Sequence, residues 1–119
     1  TKELITYKKD IMAKTVKSAA EFKTILEQNK PILIDFYADW CGPCQMQLPV
    51  VEQLSEKYTD SLEVLKINVD NHPDIAGAFG VRSIPALFLL QNQEVVDSMV
   101  GYQSQQVLEN KLQGLAITA

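Results

Sequence analysis

Cysteine, histidine and tryptophan are scarce in this chain: two, one and one among 119 residues. Two cysteines cannot build the disulfide framework that small secreted domains rely on. Cys41 and Cys44 with His72 fall short of the four ligands of a structural zinc site. His72 lies in the polar stretch "DNHPD" and reads as a solvated loop residue. Positive charge is short too. Lys and Arg number 11 against 15 Asp and Glu, for a net charge of −4. The two signs are interspersed, so the concentrated basic face of a nucleic-acid binder is missing. Long apolar runs are absent, and "ALFLL" is far too short to span a bilayer. No basic, apolar and small-residue succession resembling a signal peptide follows Thr1. The expectation is a cytoplasmic protein that engages neither nucleic acid nor membrane.

What is present is an ordinary globular composition, 46% hydrophobic and 22% charged, in a chain long enough to bury one real core. Met12 begins "MAKTVKSAAEF", a plausible translation start in its own right. Residues 1–13 are therefore set apart as an extension of uncertain role, either packed on the domain edge or left over from cloning. Residues 14–119 form the domain proper.

Helix and strand patterns alternate along that domain. "KTV" at 14–16 suggests a short strand. Ser18 followed by Glu21 is a capping box, behind which Phe22, Ile25 and Leu26 share a helical face. "PILIDFYA" is a continuous apolar run, typical of a strand covered on both faces. A helix follows from Gly42 to about Tyr58, with Val50, Val51 and Leu54 at helical spacing. Pro49 inside it predicts a kink, since proline cannot donate to the Gln45 carbonyl. "LEVLKINVD" is another strand, and "HPDIAGAFG" a short helix opened by Pro73 and closed by Gly80. "ALFLLQ" and "EVVDSMV" read as a hairpin turning at Asn92. Ser104 caps a last helix carrying Val107, Leu108, Leu112 and Leu115. The order β-α-β-α-β-α-β-β-α implies parallel right-handed crossovers, then an antiparallel hairpin on the same sheet. The fold class is α/β, a three-layer sandwich around a mixed sheet.

The two thiols sit where strand passes into helix, in "DFYADWCGPCQMQLP". Backbone N–H groups at a helix start are unpaired and carry partial positive charge. A thiolate on Cys41 is stabilised there, which lowers its pKa and makes it nucleophilic near neutral pH. Cys44 lies one turn further in, within reach of a mixed disulfide on Cys41. Pro43 has no N–H to lose and stiffens the ring. This is an arrangement for reversible dithiol–disulfide exchange. A purely structural disulfide fits poorly, because closing so small a loop removes little chain entropy. Inert buried cysteines belong in apolar runs rather than on a Gly-Pro turn.

"DFYADWCGPC", then Pro49, "KINVD", "VRSIP" and "VGY" at these spacings, closely resemble the thioredoxin family from Lys14 to Leu115. The resemblance implies a thioredoxin-like α/β/α sandwich and a protein-disulfide reductase serving electron transport and cell redox homeostasis. It implies no bound cofactor, with reducing equivalents from NADPH delivered by a thioredoxin reductase. Disulfide-containing proteins are the expected substrates, and a monomer the expected state. Cys41 becomes the attacking thiol and Cys44 the resolving one. Trp40, Gly42 and Pro43 complete the motif. Ile84, Pro85 and Gly101 line the substrate face, and Pro85 is the proline that is cis in the family.

Asp35 interrupts an apolar strand, where a carboxylate must be paired or protonated. In the family the matching aspartate lies beneath the resolving cysteine and helps move its proton. Desolvation should raise its pKa towards neutrality, suiting general acid–base work. Lys66 matches a lysine on the neighbouring strand that can pair with it. For Ile84-Pro85 the residues alone predict a trans bond, since only ~5–6% of X–Pro bonds in folded proteins are cis; the resemblance reverses this. A cis bond turns Ser83 and Ile84 towards Cys41, ready to pair with an extended substrate strand. Trp40 and Tyr102 have core packing as their plain alternative. Gln45 stands where lysine or arginine is usual, Gln47-Leu48 replaces a more apolar pair, and Ser83 replaces a frequent glycine. With the cysteines untouched, these departures bear on partner choice. Two other functions compete with a general reductant. One is an oxidoreductase dedicated to one partner. The other is an interaction module that leaves its thiols unused. The Gly-Pro dipeptide favours reduction, because oxidases and isomerases of the family usually carry histidine there.

Overall fold

The computed structural model describes residues 12–119, so residues 1–11 of the assigned extension lie outside the described residues. The elements follow the expected order: β1 (Lys14–Thr15), α1 (Ala19–Leu26), β2 (Ile32–Tyr37), α2 (Gly42–Lys57), β3 (Glu63–Asn68), α3 (Pro73–Ala78), β4 (Ala86–Gln91), β5 (Glu94–Val100) and α4 (Gln105–Gly114). They build one five-stranded sheet in the order β1-β3-β2-β4-β5. β3 runs parallel to β1 and β2, while β4 is antiparallel to both β2 and β5. β2 is thus the central strand, which is why its sequence is apolar on both faces.

Strand alternation divides the core into two layers. Leu33, Val64, Leu87 and Leu89 face Val51, Leu54, Leu108 and Leu112 of α2 and α4. Ile34, Phe36, Leu65 and Ile67 face Phe22 and Ile25 of α1 and Ile75 of α3. All four phenylalanines meet on the second side, with Phe79 touching Phe22, Phe36 and Phe88 at centroid distances of 5.8, 5.4 and 5.2 Å. Asp35 and Lys66 lie in register on β2 and β3, on the α2–α4 side. Ala13, placed at the end of the extension, is buried in this layer and donates its N–H to Glu52 Oε2 at 3.1 Å.

Helix ends follow local chemistry. Ser18 Oγ accepts the Glu21 N–H at 3.1 Å. The returning half of the capping box differs from expectation. Glu21 Oε1 accepts from Lys17 N rather than from Ser18 N, so the carboxylate satisfies the residue before the cap. α2 runs unbroken across Pro49, whose ring is exposed to solvent. α3 ends on Gly80 at φ +68°, with Val81 N bonded to Ala76 O at 3.0 Å and Gly80 N to Gly77 O at 3.0 Å. This Schellman closure needs a left-handed residue, which glycine supplies without steric cost. It also aims residues 81–85 back towards the start of α2. Asn92 and Gln93 both adopt positive φ, 54° and 67°, in a two-residue primed turn that joins β4 to β5. Among the described residues, no helix is long and apolar enough to cross a membrane.

Candidate active site

Cys41 is the N-cap of α2, in extended backbone at φ −91°, ψ 111°. Its sulfur accepts the Cys44 N–H at 3.2 Å, and its carbonyl accepts the Gln45 N–H at 3.3 Å. Gly42 and Pro43 form the first helical turn, where the missing proline N–H costs nothing. Cys41 and Cys44 are joined in a disulfide with Cα atoms 5.2 Å apart. Cys44 is fully buried and Cys41 is 5% exposed. Of the two, only Cys41 offers any surface to a partner sulfur. The same N–H and helix start that hold the sulfur here would stabilise it as a thiolate once the bond is reduced.

The Ile84–Pro85 bond is cis. The Ile84 carbonyl lies 3.9 Å from Cys41 Sγ. That is a contact and not a hydrogen bond, since a disulfide sulfur carries no proton. Pro85 O accepts the N–H of Gly101 at 2.8 Å, with Gly101 at φ +87°. Cys41, Ile84, Pro85 and Gly101 are thus brought to one end of the sheet, with Gly42 and Pro43 exposed on the helix side.

Asp35 is fully buried, and neither of its carboxylate oxygens has a hydrogen-bond partner among the described residues. Desolvation pushes its pKa up to about 7, opposed by the charge of Lys66. The expected pairing with Lys66 is not made. Lys66 lies beside Asp35 in the sheet, but its Nζ bonds Glu52 Oε1 on α2 at 2.8 Å. The long lysine stem reaches a partly hydrated carboxylate, where an ion pair costs less desolvation than at a buried one. Glu52→Gln frees that ammonium to turn towards Asp35. The Asp35 titration midpoint should then fall by about one pH unit, as read by NMR of isotope-labelled carboxyl carbons. An unmoved midpoint would mean that Lys66 does not respond to Glu52.

Core packing is overturned for both aromatics. Trp40 is 71% exposed and Tyr102 43%. The indole N–H donates to Asp70 Oδ2 at 2.9 Å, which holds the ring over the surface without burying it. Beside it, Val69, Ala76, Val81, Arg82 and Ile84 line a shallow groove of about 160 Å³. Within "KINVD" nothing in the residues marks Asp70 for this role, and Glu52 carries no signal on a mixed helix face. His72 is half-buried at the N-cap of α3, and no cluster suited to a metal ion occurs among the described residues. Gln45 is exposed on the first turn of α2, its amide N–H 3.4 Å from Asp39 O.

The family model for thioredoxin matches residues 13–114. Thioredoxin 1 of Synechococcus elongatus is 40% identical over 101 residues, spanning 85% of this chain and 94% of that protein. The thioredoxin of Chlorobaculum thiosulfatiphilum is 44% identical over 88 residues, spanning 74% and 82%. A mutant thioredoxin of Halobacterium salinarum superposes with a TM-score of 0.82 at 38% identity, spanning 92% and 94%. These likenesses, with a bonded cysteine pair at a helix start, favour exchange chemistry over a module whose thiols are idle.

Proposed function

As the chain belongs to the thioredoxin family, a protein-disulfide oxidoreductase working by dithiol–disulfide exchange, we propose the following roles for its residues. Cys41 attacks as thiolate, forming a mixed disulfide with one substrate sulfur while the other leaves and takes up a proton. Cys44 then gives its proton to Asp35 and attacks Cys41 Sγ. The mixed disulfide breaks, the second substrate sulfur leaves as a thiolate and takes up a proton as the first did, and the Cys41–Cys44 bond remains. Two electrons and two protons pass to the substrate in all. Asp35 suits the proton transfer because its pKa of about 7 lets it take or return a proton at working pH. Lys66 acts on Asp35 through its charge. Trp40, Gly42, Pro43, Ile84, Pro85 and Gly101 form the face on which an extended substrate segment lies. We further propose that a thioredoxin reductase restores the dithiol with electrons from NADPH, and that the protein works as a monomer in the cytoplasm.

The observation that carries this reading is the Cys44 N–H donated to Cys41 Sγ at the helix start. NADPH-coupled insulin reduction with a thioredoxin reductase from the same organism tests it. Absence of turnover with that enzyme would point to a reductant dedicated to one partner. The role order has its own check. In the reduced protein, Cys41 should alkylate at least about tenfold faster than the buried Cys44 at neutral pH. Mass mapping after brief iodoacetamide treatment decides it, and predominant labelling of Cys44 would reverse the assignment.

A further inference from the structure

Gln47 lies three residues beyond Cys44 on α2 and is fully buried. Its Nε2 donates to Gln103 O at 2.9 Å, and its Oε1 accepts Gln103 N–H at 2.7 Å. The side-chain amide thus meets the loop between β5 and α4 as a neighbouring strand would, bonding both backbone groups of one residue. Gln103 turns its own amide back onto Gly101 O at 3.3 Å and Val100 O at 3.5 Å. Gly101 N in turn donates to Pro85 O, and Ile84 O faces the Cys41 sulfur. A closed circuit of contacts runs from the cysteine helix through Gln47, Gln103, Gly101 and the proline loop back to the disulfide. Tyr102 stands exposed between the two anchored residues.

An apolar side chain at position 47 would fill the same space, but dispersion contacts are not directional and would leave the loop free to slide. The paired hydrogen bonds select one register of the loop against α2, because any other leaves a buried amide unpaired. We propose that Gln47 is a positioning residue that locks loop 101–103 in register with the Pro85 loop across the disulfide. It thereby sets how well a protein substrate's extended segment is held, and does not set the reactivity of Cys41. The inference rests on the reductase reading above and names a determinant of its substrate selectivity.

Gln47→Met keeps length and volume and removes both bonds. Reduction of insulin is compared with reduction of dithionitrobenzoate, a small disulfide that cannot span the face. KM for insulin should rise about tenfold, the loss expected when one or two net hydrogen bonds stop holding the loop. The kcat for insulin and the rate with dithionitrobenzoate should stay within about twofold, a split that general destabilisation would not produce. An unchanged insulin KM, or equal losses on both disulfides, would overturn the proposal. A measurement on the unmodified protein stands if the variant does not fold: the Gln103 amide should exchange its proton slowly. Exchange there at the free-peptide rate would refute the clasp. Failure of the unmodified protein to reduce either disulfide would instead sink the reductase reading, and this inference with it.

Discussion

Asp35→Asn should raise stability by less than ~1 kcal/mol at pH 4 and by ~4 kcal/mol at pH 8. In the unfolded chain this carboxyl titrates near 3.8, whereas burial pushes the folded value up to about 7. Between those values the folded state holds a proton that the unfolded state has released. Stability must then fall as pH rises through this window and level off above it. Below 3.8 the carboxyl is neutral in both states and contributes no difference. A displacement of this size corresponds to at most ~4 kcal/mol, and asparagine, neutral throughout, does not incur it. Its amide is as poorly partnered as the protonated acid, so the low-pH curves should nearly coincide. Turnover should move the opposite way, falling about tenfold or more at pH 7 as the proton acceptor for Cys44 is lost. Urea unfolding at both pH values, with insulin reduction alongside, reads both effects. A stability gain equal at pH 4 and pH 8 would show that Asp35 does not titrate in this window, and undiminished turnover would remove it from the mechanism.

The features legible in the residues are those with local causes. β4 and β5 fall where the turn chemistry of Asn92 places them. Ser18 and Ser104 cap their helices as their hydroxyls allow. The helix-start position of Cys41 follows from Gly42 and Pro43, and the burial of Asp35 from the apolar run around it. What could not be read depends on distant partners. The cis Ile84–Pro85 bond is disfavoured by any local rule and was reachable only by resemblance. Lys66 stands in register with Asp35, yet a flexible stem lets its charge pick Glu52, on another element. Trp40, large and apolar, leaves core packing open as an alternative to its place in the motif. Its indole N–H finds Asp70 at the surface, and no pattern along one segment reports a side chain 30 residues away. Gln47 stood out only as a polar residue where apolar ones are usual. Its partner is a backbone 56 residues further on, so its burial had no sequence signature.

Cys44→Ser should stop turnover after one chemical step, cutting insulin reduction by roughly a thousandfold or more. It should also leave a covalent complex between Cys41 and the substrate. Cys41 keeps its helix-start environment in this variant, so the first attack proceeds. The second attack cannot, because a serine hydroxyl is a far weaker nucleophile and poorer sulfur acceptor than a thiol. No other thiol of this chain can resolve the mixed disulfide, since Cys41 and Cys44 are its only cysteines. Cys41→Ser should lose turnover equally but trap nothing. Its remaining thiol is fully buried beneath the residue that would have met the substrate. Non-reducing electrophoresis of each variant incubated with oxidised substrate separates the two, and dithiothreitol should release the trapped partner. Trapping by Cys41→Ser in place of Cys44→Ser would exchange the roles of the two cysteines. Trapping by neither, with both variants folded, would mean that Cys41 does not form the mixed disulfide on which the proposed mechanism depends.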